Sequence, residues 1–534
     1  MKKIITLLTL VTLTLSAYTQ TREQVLATMK RAATAFDQKV GADGAYVWFY
    51  LPDMSRSWGE AEAFPRMGWV ERPGGVPAMG NIFLDLYIAT GDKFYYDLAR
   101  KSAKALIAGQ LDNGGWNHFF NLDGDTSTAR WYNTIGRQAW RMEEFHTFYQ
   151  SATFDDYVHG DAAYFLLRMY LQNRDSLYLT PLQKAIDLIL RSQKRSGGWP
   201  ERYPLELGSY TSNLTLNDDV TLTNILFLIY VYQTRVAHTP EIREAIAAGM
   251  NVIISLQSGY PAPGWARQFC RLTMRPTGAR TYEPTAINTS FTVEQIEALM
   301  LFYRLTGETK FLARISETID WLESLAMTEE EIAFVGRTPS RTSITVPRNI
   351  DPVRGEAIWT HRRGSNVATG YYFFNNYDPQ NTIGHMSSFA NININRLRRE
   401  FAEVKALCWG EIAKTSPLIL ARLTKNPVPL PRFHSPTSLR WATHERTVAE
   451  IISFLNEDGF WITPLPFISH PYKTIPQSLW DAGKRSDITE FATTQVGDEF
   501  DTSPFPPETE VLGISVPIFI TNMARMIEFL ETLP

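Results

Sequence analysis

A repeated unit constrains this chain more than any other feature. The unit is an apolar helical stretch, a short turn, and a second helical stretch ending in Gln. A loop closing on Gly-Trp follows. Asn81–Thr90 and Phe94–Gln110 form the first copy and close at Gly114-Gly115-Trp116. Asp161–Asn173 and Pro181–Gln193 form the second and close at Gly197-Gly198-Trp199. Leu222–Gln233 and Pro240–Gln257 form the third and close at Gly264-Trp265. Thr292–Thr306 and Lys310–Leu325 make a fourth without the closing loop. Helix pairs at intervals of roughly 60 to 80 residues cannot each bury a core alone, so they stack or close into a ring. The expected fold is mainly α, an incomplete α/α toroid of helical hairpins with all the Gly-Trp loops at one end. That end is the candidate site.

The chain has 534 residues, enough for a large core or for two to three domains. Residues 1–20 read as a secretory signal: Lys2 and Lys3, then the apolar run Ile4–Leu15, then Ser16-Ala17. That run is too short to span a bilayer, and no later stretch is long enough. The expected location is secreted or periplasmic, in a bacterium. A formal charge of −4 gives no global basic field for nucleic acid. Cys270 and Cys408 are the only cysteines, and an oxidising compartment permits one disulfide between them. A monomer is expected.

The toroid is expected over 21–325, with a helix at about Thr21–Lys39 ahead of the aromatic-rich loop 41–75. Beyond 326 the repeat weakens. Thr369–Asn376 reads as a strand, Arg396–Ala421 as helical, and 513–533 as a last apolar helix. Glu445–Asn456 followed by Asp458-Gly459-Phe460-Trp461 echoes the repeat. Residues 326–534 are therefore a continuation of the toroid or an accessory region.

Polar clusters stand just before the first helices of the units: Asp155-Asp156, Asn217-Asp218-Asp219, and Ala279-Arg280-Thr281-Tyr282-Glu283. These oxygens can cap helices. They also suit a hard cation such as Ca²⁺, with Asn217, Asp218 and Asp219 as ligands. Arg280 offers a fork for a carboxylate. Asp156, Trp199, Arg202, Tyr282 and Glu283 are the candidate substrate contacts, and Asp155 and Arg280 the catalytic ones. Metal and Arg together would neutralise the C6 carboxylate of a uronate while its C5 proton is removed. Two carboxylates without a metal would instead serve a glycoside hydrolase, drawing on Asp155, Asp218 or Glu283. A glycan-binding protein without turnover is the third reading.

Four motifs in order, TFDD (Thr153–Asp156) before FLLRMY, GGWPERYP, NDD before an apolar helix, and ARTYEP, resemble the family 10 pectate lyases over about residues 80–325. The resemblance implies a ring of α-hairpins, Ca²⁺, and β-elimination on polygalacturonate. It makes Asp155 and Asp156 the substrate-site acidic pair, Asp218 or Asp219 the metal carboxylate, and Arg280 a substrate-carboxylate arginine. The chain departs from the family where a Trp-x-Arg-Phe-Tyr and a Gly-Arg-Asp segment stand. Here the nearest stretch is TGYYFFNN followed by Gly384-His385-Met386, so His385, Tyr371, Arg362 or Arg363 is left as the candidate base. The family's Gln-His-Asp is altered to Gln268-Phe269-Cys270.

Overall fold

The computed structural model describes residues 20–136, 150–280, 282–363, 371–375, 378–380, 382, 388–431, 446–466, 491–492 and 511–533. Residues 1–19 of the segment read as a secretory signal, and His385, lie outside the described residues.

The repeat becomes paired helices. The first helices of the units, α2 (Val76–Thr90), α4 (Val158–Asn173), α6 (Val220–Gln233) and α8 (Thr289–Thr306), are apolar on nearly every face and lie inside. In α4 every residue from Val158 to Met169 is buried. Their partners α3 (Lys93–Ala108), α5 (Ser176–Ser192), α7 (Pro240–Ser255) and α9 (Ile315–Ser324) bury one stripe each and form the outer layer. Caps set the outer helices' starts. Asp92, Asp175 and Thr239 accept a backbone N–H from the first turn of α3, α5 and α7.

The Gly-Trp loops lock one unit to the next. The indoles of Trp116, Trp199 and Trp265 donate to the carbonyls of Leu106, Ile189 and Ile253 at 2.8, 2.8 and 2.7 Å. These carbonyls sit in the last turns of the outer helices, where intrahelical donors run out; Ile189 O takes the Gln193 N–H as well, at 3.2 Å. Gln110 and Gln193 reach forward to carbonyls of the following outer helix, Pro181 and Ala245, at 2.9 Å. Gly197, at φ +104°, lies so close to that helix that a Cβ would sit 2.2 Å from the Ala248 carbonyl.

The chain beyond 326 carries the same pattern. Helix α10 (Ile394–Ala406) packs on α8 and α9, and α11 (Pro417–Leu423) lies between α6 and α8. The echo at Trp461 is a true copy: its indole donates to Ile451 O at 2.7 Å, in α12 (Val448–Ser453). Gly459, at φ +87°, packs against α1 (Arg22–Ala35), as Gly197 packs against α7. The last helix, α13 (Val516–Thr532), packs on α1, α2 and α12. The final inner helix is thus paired with the first outer helix, and the two ends of the chain share one unit. The result is an α/α toroid. The helix expected at Lys310–Leu325 is broken at Ala313–Arg314, and that expected at Thr21–Lys39 ends in a wider π turn at Phe36–Val40. Both cysteines are free. No described helix is long and apolar enough to cross a membrane.

Candidate functional site

Short antiparallel strand pairs join successive loops at one end of the toroid: 152–153 with 202–203, 214–215 with 268–269, and 287–288 with 349–350. They create a repeated rung. The carbonyl of the second residue after each closing Trp accepts from a backbone N–H just ahead of an inner helix. The rungs are Val70 to His118 (2.7 Å), Phe154 to Glu201 (2.8 Å) and Leu216 to Arg267 (2.9 Å). Thr289 to Arg348 (2.8 Å) repeats the bond in the fourth unit, and Val516 to Trp48 (2.9 Å) repeats it where the chain ends meet. His118, Glu201, Arg267 and Arg348 therefore occupy equivalent places, and the residues following the first three donors are Glu71, Asp155 and Asn217.

The loops leading into α4 and α6 are themselves copies, TFDDYV and TLNDDV. In each, the Thr hydroxyl accepts the N–H two residues on, Thr153 from Asp155 and Thr215 from Asn217, both at 3.1 Å. The next residues turn left-handed: Asp156 and Tyr157 at φ 48° and 63°, Asp218 and Asp219 at φ 46° and 55°. Neither α4 nor α6 receives a side-chain cap, so the cap reading of these acids is not realised. Carboxylate oxygens of Asp155, Asp156 and Asp218 lie within 4.8 Å of one another. Burial, then the nearby Asp156 and Asp155, pushes the Asp218 carboxyl well above its ordinary range.

Arg280 is buried against this trio. It donates to Asp155 Oδ2 at 2.9 Å and to Glu283 Oε2 at 3.3 Å, and stands 3.8 Å from Glu201 Oε1. Glu283 also takes Arg267 at 3.0 Å. Glu201 is fully buried, accepts from Gln268 at 2.8 Å, and is pushed up to about 8 by burial and by Asp155. On the other side Arg202 donates to Nδ1 of buried His118 at 3.2 Å, which places the His proton on Nε2. That Nε2 faces Glu71 at 3.7 Å and Asp156 at 3.8 Å. Burial, Arg202 and Arg280 hold His118 well below its usual pKa, so it stays neutral, and its ring nitrogen lies within 4.8 Å of carboxylate oxygens of Glu71 and Asp156, a second acidic group beside the trio.

The structure thus brings Asp155, Asp156, Asp218, Arg280 and Glu283 together, with Tyr282 buried alongside. It corrects four expectations. Trp199 is fully buried with its N–H on Ile189 O, so it is a core residue and not a substrate contact. Arg202 is 1% exposed and is committed to Asn117 and His118, so it positions rather than binds. Asn217 presents its amide N–H to Asp155 and Asp218, while its oxygen accepts from Arg267 at 3.2 Å; that orientation is no metal ligand. Asp219 accepts from the Tyr157 hydroxyl at 2.5 Å and stands outside the trio. The candidate bases lie beyond description: His385, and the side chains of Arg362, Arg363 and Tyr371, fall outside the described residues. Glu71, His118, Glu201 and Arg348 were not singled out from sequence. The signal that finds the last three is their shared register in the repeat.

Residues 123–380 match the family model for pectic acid lyase. The match covers the acidic trio, Arg280 and the ladder residues from Glu201 to Arg348, and it agrees with the resemblance read from the motifs. No curated protein matches the chain. Among solved structures, a family 10 polysaccharide lyase from Cellvibrio cellulosa is 18% identical over 61% of this chain and 98% of its own, with a TM-score of 0.42. A mutant of that enzyme in complex with trigalacturonic acid gives 19%, 62%, 99% and 0.40. Cellobiose 2-epimerase from Spirochaeta thermophila gives 15%, 62%, 75% and 0.35.

Proposed function

We propose that this chain is an exported polysaccharide lyase that cleaves a uronate glycan, with pectate the favoured substrate, by Ca²⁺-assisted β-elimination. The observation that carries the reading is the acidic trio with Arg280 buried against it, inside the segment matched by the pectic acid lyase model. The donor set fits the cation. Three carboxylates crowd one another, two of them partly exposed; burial first, and then Asp156 and Asp155, raise the Asp218 carboxyl, and a divalent ion would relieve the part due to charge. Asp155, Asp156 and Asp218 are the residues that would hold it. Bound there, Ca²⁺ would supply charge neutralisation of a uronate C6 carboxylate. Arg280 fixes Asp155 and adds positive charge beneath the same point. The reaction removes the C5 proton and breaks the C4–O bond, leaving a 4,5-unsaturated uronide.

A glycoside hydrolase would need an accessible protonated acid beside a second carboxylate. Glu201 keeps a proton at neutral pH but is fully buried, which counts against that reading. The test is ultraviolet absorbance of the unsaturated product with polygalacturonate and purified protein. Absorbance should rise with Ca²⁺ and stop with chelator. Reducing ends released without ultraviolet absorbance would replace the lyase by a hydrolase.

A further inference from the structure

Among the described residues, Arg348 is a cation without an ion-pair partner in a prepared place. It holds the ladder position in the fourth unit that His118, Glu201 and Arg267 hold in earlier ones, so it belongs to the same end of the toroid. Its backbone is fixed on both sides, by Thr289 N and by Ser388 O, each at 2.8 Å. Its side chain is half-buried. It makes one long hydrogen bond, to Phe389 O at 3.4 Å, and forms no ion pair among the described residues.

The cavity beside it is lined by Arg348, Arg267, Thr360, Tyr282, Glu283 and Asn288, among others. It encloses about 20 Å³, room for a carboxylate or a water and too little for a sugar ring. Thr360 is 3% exposed, and its hydroxyl has no hydrogen-bond partner among the described residues. The Arg348 Nε–H has none either. Buried polar groups are normally paired, so two unmet groups at one small cavity need an explanation. The charges agree. Glu283 is spent on Arg267 and Arg280, while Glu294 acts on Arg348 only as a more distant charge. Burial and the neighbouring Arg267 pull the Arg348 pKa down to about 10, the mark of a guanidinium facing another cation.

We infer that Arg348, Arg267 and Thr360 form a carboxylate subsite that takes the C6 carboxylate of a uronate unit adjoining the one at the acidic trio. This rests on the uronate reading above. A planar carboxylate would accept from the Arg348 fork and the Thr360 hydroxyl together. The cavity connects to the trio by a run of ion pairs, Arg267–Glu283 at 3.0 Å, Glu283–Arg280 at 3.3 Å and Arg280–Asp155 at 2.9 Å. The anchoring needs no metal, whereas the trio does.

The test is calorimetric titration with trigalacturonate and with its methyl ester, in chelator, on wild type, Arg348→Gln, Arg348→Lys and Thr360→Val. Wild type should bind the acid. Arg348→Gln should bind it at least tenfold more weakly, Thr360→Val several-fold more weakly, and Arg348→Lys in between. The ester should bind all four proteins alike. In the elimination assay Arg348→Gln should raise KM with kcat nearly unchanged. Acid binding that ignores both Arg348→Gln and Thr360→Val overturns the subsite, as does the same loss with the ester, or no binding of acid to wild type. Normal elimination with binding that ignores Arg348 leaves the lyase standing and removes the subsite. Arg348-dependent binding without elimination does the reverse.

Discussion

Glu201→Gln should stabilise this protein at alkaline pH and do little at acid pH. The Glu201 carboxyl is fully buried, with one oxygen on Gln268 and the other without a hydrogen-bond partner, 3.8 Å from Arg280. It keeps its proton to about pH 8, against an ordinary 4.5, mainly because burial penalises the anion. The unfolded chain releases that proton near its ordinary value. Between the two pKa values the folded state therefore holds one more proton than the unfolded state, and stability falls as pH rises. At about 1.4 kcal/mol per pKa unit, the shift implies a ceiling of about 5 kcal/mol, reached near pH 8 and flat beyond. Gln cannot ionise, has the same shape, and keeps an oxygen for Gln268. Glu71 and Asp218 also have raised carboxyls, but they titrate in both proteins and drop out of the difference to first order. The assay is urea unfolding of both proteins in chelator at pH 5, 6.5 and 8. The variant should match wild type at pH 5 and gain an increasing margin by pH 8. A margin independent of pH, or a less stable variant at pH 8, would refute the buried neutral acid.

Two further substitutions test the centre. Arg280→Ala leaves buried Asp155 and Glu283 short of their shared cation, so it should cost roughly 3–5 kcal/mol in thermal or urea unfolding as well as abolish elimination. An intact fold with near-normal turnover would remove Arg280 from the site. Asp218→Asn keeps the left-handed turn, which Asn tolerates, and removes one of three crowded charges. It should raise metal-free stability at pH 8 and lower elimination by two orders of magnitude or more, since it removes charge from the cation's donor set. Unchanged Ca²⁺ dependence would sink the trio as the metal site.

The helices were legible because their signals are local. Apolar period and Gly-Trp punctuation locate eight helices of the four units, and Asp458-Gly459-Phe460-Trp461 marks one more copy, since an indole needs only a carbonyl about ten residues back. The pairing of α13 with α1 was not legible: the partners stand almost a full chain length apart, and neither bears a mark naming the other. In the site, motif acids were legible as a group but not by role. Asn217 and Asp218 are adjacent, yet Asp218 joins the trio while Asn217 only donates to it and accepts from Arg267, which the left-handed turn decides. Trp199 misled because a Trp beside a Gly pair can stack on a sugar or plug a helix end. Its spacing matched Trp116, and that argued for the plug. The same repeat phase, carried two residues further, leads to His118, Glu201 and Arg267.

The duplicated turns give the strongest internal argument that these acids serve a ligand. The simplest use of an Asp ahead of a helix is to cap it, worth about 1 kcal/mol. Helix α8 takes that option through Asn288, which accepts from Phe291 N at 3.1 Å. Helices α4 and α6 forgo it twice over. Each instead holds two consecutive side-chain-bearing residues at positive φ, a conformation that costs on the order of 1 kcal/mol or more per residue outside Gly. The effect of the turn is to bring Asp156 and Asp218 to within one ion's reach of Asp155, where their charges repel. Caps forgone, strained backbone and crowded carboxylates all act against folding, and all three recur in both copies of the loop. Packing cannot account for them, because Asp156 and Asp218 are partly exposed. The cation proposed for the trio would offset these costs at a single point.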